Sequence, residues 1–176
     1  KMNEVIALML ESYDLSTRES AKRALREVLQ EVILVGIWRA KLLEKMAFYG
    51  GTALRILYGL DRFSEDIDFT LLKAAPEFRW QPFAKTIDTE LVSYGFDFEL
   101  KAKTKLIKSD VQSAFLKTNT LQALLKVGVS RSIISGNHPD TILKIKIEVD
   151  TDPVPGFRTE QKMLANPLPI PITTVV

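Results

Sequence analysis

The chain has 176 residues, with 24 Lys and Arg against 22 Asp and Glu, and its formal net charge of +2 announces neither a strongly basic nucleic-acid binder nor an acidic tail. With 46% hydrophobic and 26% charged residues it has the make-up of a globular chain, long enough for one domain with a sizeable core. No apolar run nears the roughly 18 residues of a membrane span, no secretory pattern opens the chain, and the absence of cysteine excludes disulfides and thiolate metal sites, which fits a cytoplasmic protein.

The first third reads as helix. Ser16-Thr17-Arg18-Glu19 has capping-box form with Glu19 three residues after Ser16. Leu25, Val28, Leu29 and Val32 then recur at helical spacing, and Gly36 marks a kink or break. Ala47 to Tyr49 is expected to be a buried strand ending at Gly50-Gly51, and Ala53 to Leu60 a short helix with Thr52 as N-cap. Ile67, Phe69 and Leu71 alternate with Asp66, Asp68 and Thr70, the pattern of a strand with one polar face. Phe83, Ile87, Leu91 and Tyr94 mark a helix that stops at Gly95, and residues 96–103 alternate as a third strand. Between 104 and 141 the pattern is ambiguous: Phe115-Leu116 and Leu121 to Val129 suit strands or a short helix. In "TILKIKIEVD", Leu143, Ile145, Ile147 and Val149 face one way and Lys144, Lys146, Glu148 and Asp150 the other. The proline-punctuated tail "NPLPIPITTVV" is expected to end in a strand. No repeat or linker divides the chain. One α+β unit is expected over 1–176, with an N-terminal helical part at 1–45 and a mixed sheet core flanked by helices at 46–176.

The chemistry centres on "YGGTALRILYGLDRFSEDIDF". Asp66 and Asp68 lie i and i+2 on one strand, so their side chains point the same way about 6–7 Å apart along the chain. Two such carboxylates repel unless a cation lies between them. With His138 the only histidine, a metal here needs oxygen ligands, which points to Mg2+ or Mn2+. A third carboxylate on a neighbouring strand would complete a two-metal arrangement. Glu148 is the first candidate, and Asp150 the reserve. Gly50 and Gly51 lack Cβ atoms and precede a helix, so their amides can approach a phosphate, with the Thr52 hydroxyl at the same corner. Together the corner and the acids describe a nucleoside triphosphate whose tail lies at 50–52 and whose reacting phosphorus lies by Asp66 and Asp68. Lys146, and less directly Lys144, can neutralise phosphate charge, and Arg62 and Ser64 can contact phosphate or brace the turn.

Each feature alone has a plainer explanation. Asp-x-Asp occurs on solvated strands, Gly-Gly in ordinary tight turns, and the Lys/Glu alternation of 144–150 on solvent faces. Lys101, Lys103, Lys105 and Lys108 suit a solvated edge strand better than a nucleic-acid track. His138 suits a turn, and Trp38 and Trp80 packing. The combination carries the case.

That combination resembles the nucleotidyltransferase superfamily related to DNA polymerase β, and residues 25–72, with the Arg-Phe-Ser-Glu-Asp run at 62–66, resemble the AbiEii/AbiGii abortive-infection toxin family. A weaker likeness lies in "LKIKIEVDTDP". The resemblance implies a polymerase β-like nucleotidyltransferase fold and a toxin encoded beside an antitoxin that need not bind it. It also implies magnesium-dependent transfer from a nucleoside triphosphate to an acceptor, tRNA for some relatives. Carried over, the turn is Gly50, Gly51 and Thr52, the metal acids are Asp66 and Asp68, and the strand lysine and acid are Lys146 and Glu148. The family continues into a C-terminal helical region with further site residues. This chain stops at Val176, where that region would begin, and opens with Lys1-Met2, so a fragment lacking the region is expected.

Two other readings compete with an enzyme of this kind. A silent module of the same fold would bind a partner protein or RNA, yet it would have no reason to keep mutually repelling acids. A glycosyltransferase using Asp-x-Asp for a nucleotide-sugar would leave Gly-Gly-Thr unexplained.

Overall fold

The computed structural model describes residues 3–103, 109–136 and 141–176. Lys105, Lys108 and His138 lie outside the described residues. Two helices open the chain, α1 (Glu4–Leu10) and α2 (Arg18–Arg39). Asn3 caps α1 through its side chain, which accepts from the N–H groups of Val5 and Ile6. The capping box of α2 is one residue later than Ser16 predicts: Thr17 is the N-cap and Ser20 its reciprocal partner. Both pairs satisfy the spacing rule, and the hydroxyl of Ser20 does the work expected of Glu19. Nor does α2 break at Gly36. It runs 22 residues through it, and a Cβ there would lie 3.2–3.4 Å from atoms of Ile87. The glycine admits a neighbouring helix rather than bending its own.

After α2 the chain forms β1 (Met46–Tyr49), α3 (Gly50–Tyr58) and β2 (Ile67–Leu71). A single 3-10 turn at Gln81–Phe83 leads into α4 (Ala84–Ser93), and β3 (Glu99–Ala102) follows. The ambiguous stretch contains β4 (Val111–Asn119), α5 (Thr120–Lys126) and α6 (Arg131–Ile134). Then come β5 (Ile142–Asp150), β6 (Thr159–Leu164) and β7 (Ile170–Val175). The tail does end in a strand, and β6, which its sequence does not announce, pairs with it. The expected helix start at Ala53 moves to Gly50. Tyr49 takes the N-cap position without a side-chain bond, and Gly59, at φ 73°, closes the helix.

The strands form one mixed sheet in the order β3-β4-β5-β2-β1-β7-β6. β5 and β2 are parallel, as are β1 and β7, and the other pairs are antiparallel. One face joins the helices in a continuous core. Leu143, Ile145, Ile147 and Val149 of β5 and Ile67, Phe69 and Leu71 of β2 belong to it, with Val28, Val32 and Val35 of α2 and Ile87 and Leu91 of α4. Each such buried side chain contributes about 1.5–3 kcal/mol relative to exposure. Trp80 is buried with its indole N–H donating to the Gln112 carbonyl at 3.2 Å, and Trp38 packs against the core under Arg39. The opposite face of the sheet carries Asp68, Lys144, Lys146, Glu148 and Asp150.

Candidate active site

Alternation and register together build the site. Because β2 and β5 are parallel with Asp68 opposite Glu148, and β1 and β2 antiparallel with Tyr49 opposite Asp68, three neighbouring strands present these side chains on one face. Asp66, two residues before Asp68, shares that side. Asp66, Asp68, Lys146 and Glu148 are all partly exposed.

The carboxylates feel each other. Burial raises the Asp68 carboxyl above its ordinary range, and the charges of Glu148 and Asp66 raise it further, with Lys146 working the other way. Lys146 makes a 2.7 Å ion pair with Glu148. That hydrogen bond raises its ammonium pKa against the opposing effect of burial, and the fields of Glu148, Asp66 and Asp68 add to the rise. Glu148 also accepts from the buried hydroxyl of Ser113 at 3.1 Å. Among the described residues no group of three or more His, Cys, Asp or Glu side chains is placed to hold a metal ion. The oxygen-only donors and their mutual repulsion suit a divalent cation, and the aspartates are the pair that offers them. Glu148 stands beside that pair with its carboxylate turned to Lys146 and Ser113.

The glycine corner abuts the same acids. At Gly50, where φ is +79°, a Cβ would lie 2.8 Å from Asp68 Oδ2, and at Gly51 it would lie 2.9 Å from Ser64 Oγ. Only glycine leaves the first turn of α3 against Asp68 and Ser64, so the partly positive N-terminus of the helix lies beside the acids. Thr52 is buried, and its hydroxyl donates to the Asp66 carbonyl, tying α3 to the strand that bears the acids. Its proton is therefore engaged at the Asp66 backbone.

The turn at 62–65 is braced from α2. The side-chain amide of Gln30, itself buried, donates to the carbonyls of Ser64 and Glu65 at 2.9 and 3.0 Å. Arg55, and not Arg62, anchors the rest. Its guanidinium donates to Glu27 at 2.8 Å and to the Leu60 carbonyl at 3.1 Å, and it lies 4.2 Å from the centre of the Phe63 ring. Arg62 is exposed, and among the described residues its guanidinium has no hydrogen bond or ion pair. Lys144 is turned away from the acids, with Nζ 3.6 Å from the centre of the Phe115 ring. Asp150 sits opposite Thr70 and accepts from the Asp152 N–H at 3.0 Å.

Three residues at the site escape a reading of motifs. Tyr49 ends the apolar run, but the register sets it beside Asp68. Burial raises its phenol, and the charges of Asp68, Asp150 and Glu148 raise it more, so it stays a protonated donor. Ser113 lies on a strand whose pattern is ambiguous, and Gln30 is a polar residue within an apolar helical stripe. The one available signal was Gln30 itself, a buried amide that needs partners.

The AbiEii profile, described as a nucleotidyl transferase toxin of type IV toxin–antitoxin systems, matches residues 32–175. Among solved structures, MenT4, a nucleotidyltransferase toxin from Mycobacterium tuberculosis, is similar at 19% identity and a TM-score of 0.44, over 81% of this chain and 42% of that one. JHP933 from Helicobacter pylori is similar at 19% identity and a TM-score of 0.43, over 74% and 46%. The chain thus spans less than half the length of either structure. No curated protein matches it significantly. No helix among the described residues is long and apolar enough to cross a membrane. On a match that takes in the whole sheet, β1 through β7, and the last turns of α2, the chain belongs to the AbiEii family of nucleotidyl transferase toxins.

Proposed function

We propose that the chain carries the catalytic face of a toxin that moves a nucleotidyl group from a nucleoside triphosphate to a hydroxyl of an acceptor RNA such as tRNA. The observation that supports this is the close approach of the Gly50-Gly51 corner, at the N-terminus of α3, to Asp68 and Ser64. Asp66 and Asp68 would hold Mg2+ or Mn2+, with Glu148 the next carboxylate in line, and the bound ion would neutralise charge developing on the phosphates. The amides of Gly50 and Gly51 bind phosphate oxygens at the start of α3, beside Thr52 and Ser64. Lys146 offers a cation to the same phosphates. The acceptor oxygen forms its bond to the α-phosphorus as the bond to the leaving pyrophosphate breaks. One of the site carboxylates takes the acceptor proton. A cognate antitoxin and a cytoplasmic setting belong to the same proposal.

The test incubates the chain with Mg2+, each α-phosphate-labelled nucleoside triphosphate in turn and total tRNA, beside Asp66→Asn. Label on RNA with the unmutated chain alone is the expected result. Label that persists with Asp66→Asn overturns the assignment of the acids. The Lys146–Glu148 ion pair favours one other reading, a silent module of the same fold. Nucleotide binding that ignores Mg2+ would favour it.

A further inference from the structure

The face that bears the carboxylates does not end at β5. Register carries it outward across β4 to β3. Lys117 lies opposite Lys144, Phe115 opposite Lys146, and Lys101 opposite Phe115. Paired residues share a face, so Lys101, Lys117, Lys144 and Lys146 surround Phe115 on the same side as Glu148 and Asp68. Lysines directly opposite each other, as Lys117 and Lys144 are, repel. Lys144 offsets part of this by lying over the Phe115 ring. On β3 the strip's acid is Glu99, which pairs with Lys101 at 3.2 Å, both side chains more than half exposed, a contact that water weakens and a phosphate can displace. The acids at the other end are those of the site. Sequence spacing alone made Lys101 a solvated edge residue; the sheet joins it to lysines 16 and 43 residues further along the chain.

We propose that the open face of β3, β4 and β5 seats a single-stranded polynucleotide, its phosphates on Lys101, Lys117 and Lys144 and a base against Phe115, with its end directed at Glu148 and Asp68. Charge complementarity selects the occupant, because four cations flank one aromatic ring, the pairing of backbone and stacking contacts that a single strand needs. Continuity with the site sets its direction. With strands spaced about 4.8 Å, β3 lies roughly 14 Å from β2, the reach of a few nucleotides. The direction of the strand's end rests on the transfer proposed above, whereas the binding surface does not.

The experiment measures the anisotropy of a fluorescent 12-nucleotide RNA, and of the DNA of the same sequence, against salt concentration. The proteins are the unmutated chain, the Lys101→Gln/Lys117→Gln double variant and Phe115→Leu. The unmutated chain binds the single strand. The double variant binds roughly tenfold more weakly at low salt, with a slope of log affinity against log salt shallower by about 1.4 for two lost phosphate contacts. Its Mg2+-dependent nucleotide binding and its melting temperature stay unchanged, and in transfer its KM rises for the polynucleotide and not for the nucleotide. A chain that binds no single strand, or a double variant with unaltered affinity and slope, overturns the proposal. Lysine-dependent strand binding without any transfer would sink the transferase reading and leave this surface standing. Transfer to RNA that ignores both lysines would sink the surface and leave the transferase.

Discussion

The two faces of β5 are built from alternate residues of one nine-residue strand, yet they obey opposite rules. Ile145, Ile147 and Val149 are wholly buried, and their side chains hold the strand against the helices. Lys146, Glu148 and Asp150, each one residue away, are partly exposed and charged. β2 repeats the contrast with Ile67 and Phe69 against Asp68. One face sets position by packing, and the other spends that precision on charges that disfavour one another. The raised Asp68 carboxyl is the mark of that cost, since folding brings it nearer to Glu148 and Asp66 and away from water. Sites built on strands in this way inherit the rigidity of the core beneath them.

Breaking the charged face should cost activity and not stability. Asp68→Asn is expected to lower transfer by about a hundred- to a thousandfold, the scale lost with one electrostatic stabiliser. Its melting temperature should hold or rise, because a neutral amide ends the repulsion. A marked fall in melting temperature would show that Asp68 is structural. Breaking the packed face should do the reverse. Ile147→Ala is expected to cost about 2–4 kcal/mol in urea unfolding, and the folded fraction should keep its turnover.

Gly50→Ala sharpens the comparison because it sits where the faces meet. The positive φ alone costs about 1–2 kcal/mol, and a Cβ 2.8 Å from Asp68 Oδ2 pushes the acid aside. Transfer should therefore fall further than the loss of stability explains, which paired activity and melting measurements would reveal.

The smallest effect belongs to the helical layer, which has one charged group of its own out of place. Burial, and then the charge of Glu27, raise Glu31 from its ordinary 4.5 to about 8. A carboxyl that binds its proton more tightly when folded supports stability below pH 4.5, and that support is lost as pH climbs towards 8. Glu31→Gln should match the unmutated chain near pH 4.5 and exceed it by about 1 kcal/mol near pH 8, after allowance for partial solvent access. Equal melting temperatures for both proteins at pH 8 would refute this.

Much of the candidate site was legible because its parts are local. Asp66 and Asp68 share a face by strand alternation, and Gly-Gly ahead of a helix marks a close backbone approach, whatever surrounds them. The α+β class followed from the same periodicities. Alternation along β5 gives Glu148 its face, but only the pairing of β5 with β2 sets it opposite Asp68. Arg62 was legible as a cation in the right turn. The brace it suggested is made by Arg55, whose spacing to Phe63 and Glu27 means nothing until α2 and α3 pack.

Local sequence thus determined which residues could act, through backbone freedom at Gly50 and Gly51, alternation along β2 and β5, and the oxygen-only ligands left in a chain with one histidine and no cysteine. Tertiary structure decided which of them meet. It placed Tyr49 beside Asp68, gave Glu148 to Lys146 and Ser113, turned Lys144 to Phe115, and committed the Thr52 hydroxyl to the Asp66 carbonyl. The reason is physical. A strand's pattern fixes the faces of its own side chains, but the neighbour on each side is chosen by hydrogen-bonded pairing between segments up to 126 residues apart, as in the Thr174 hydroxyl on the Phe48 carbonyl.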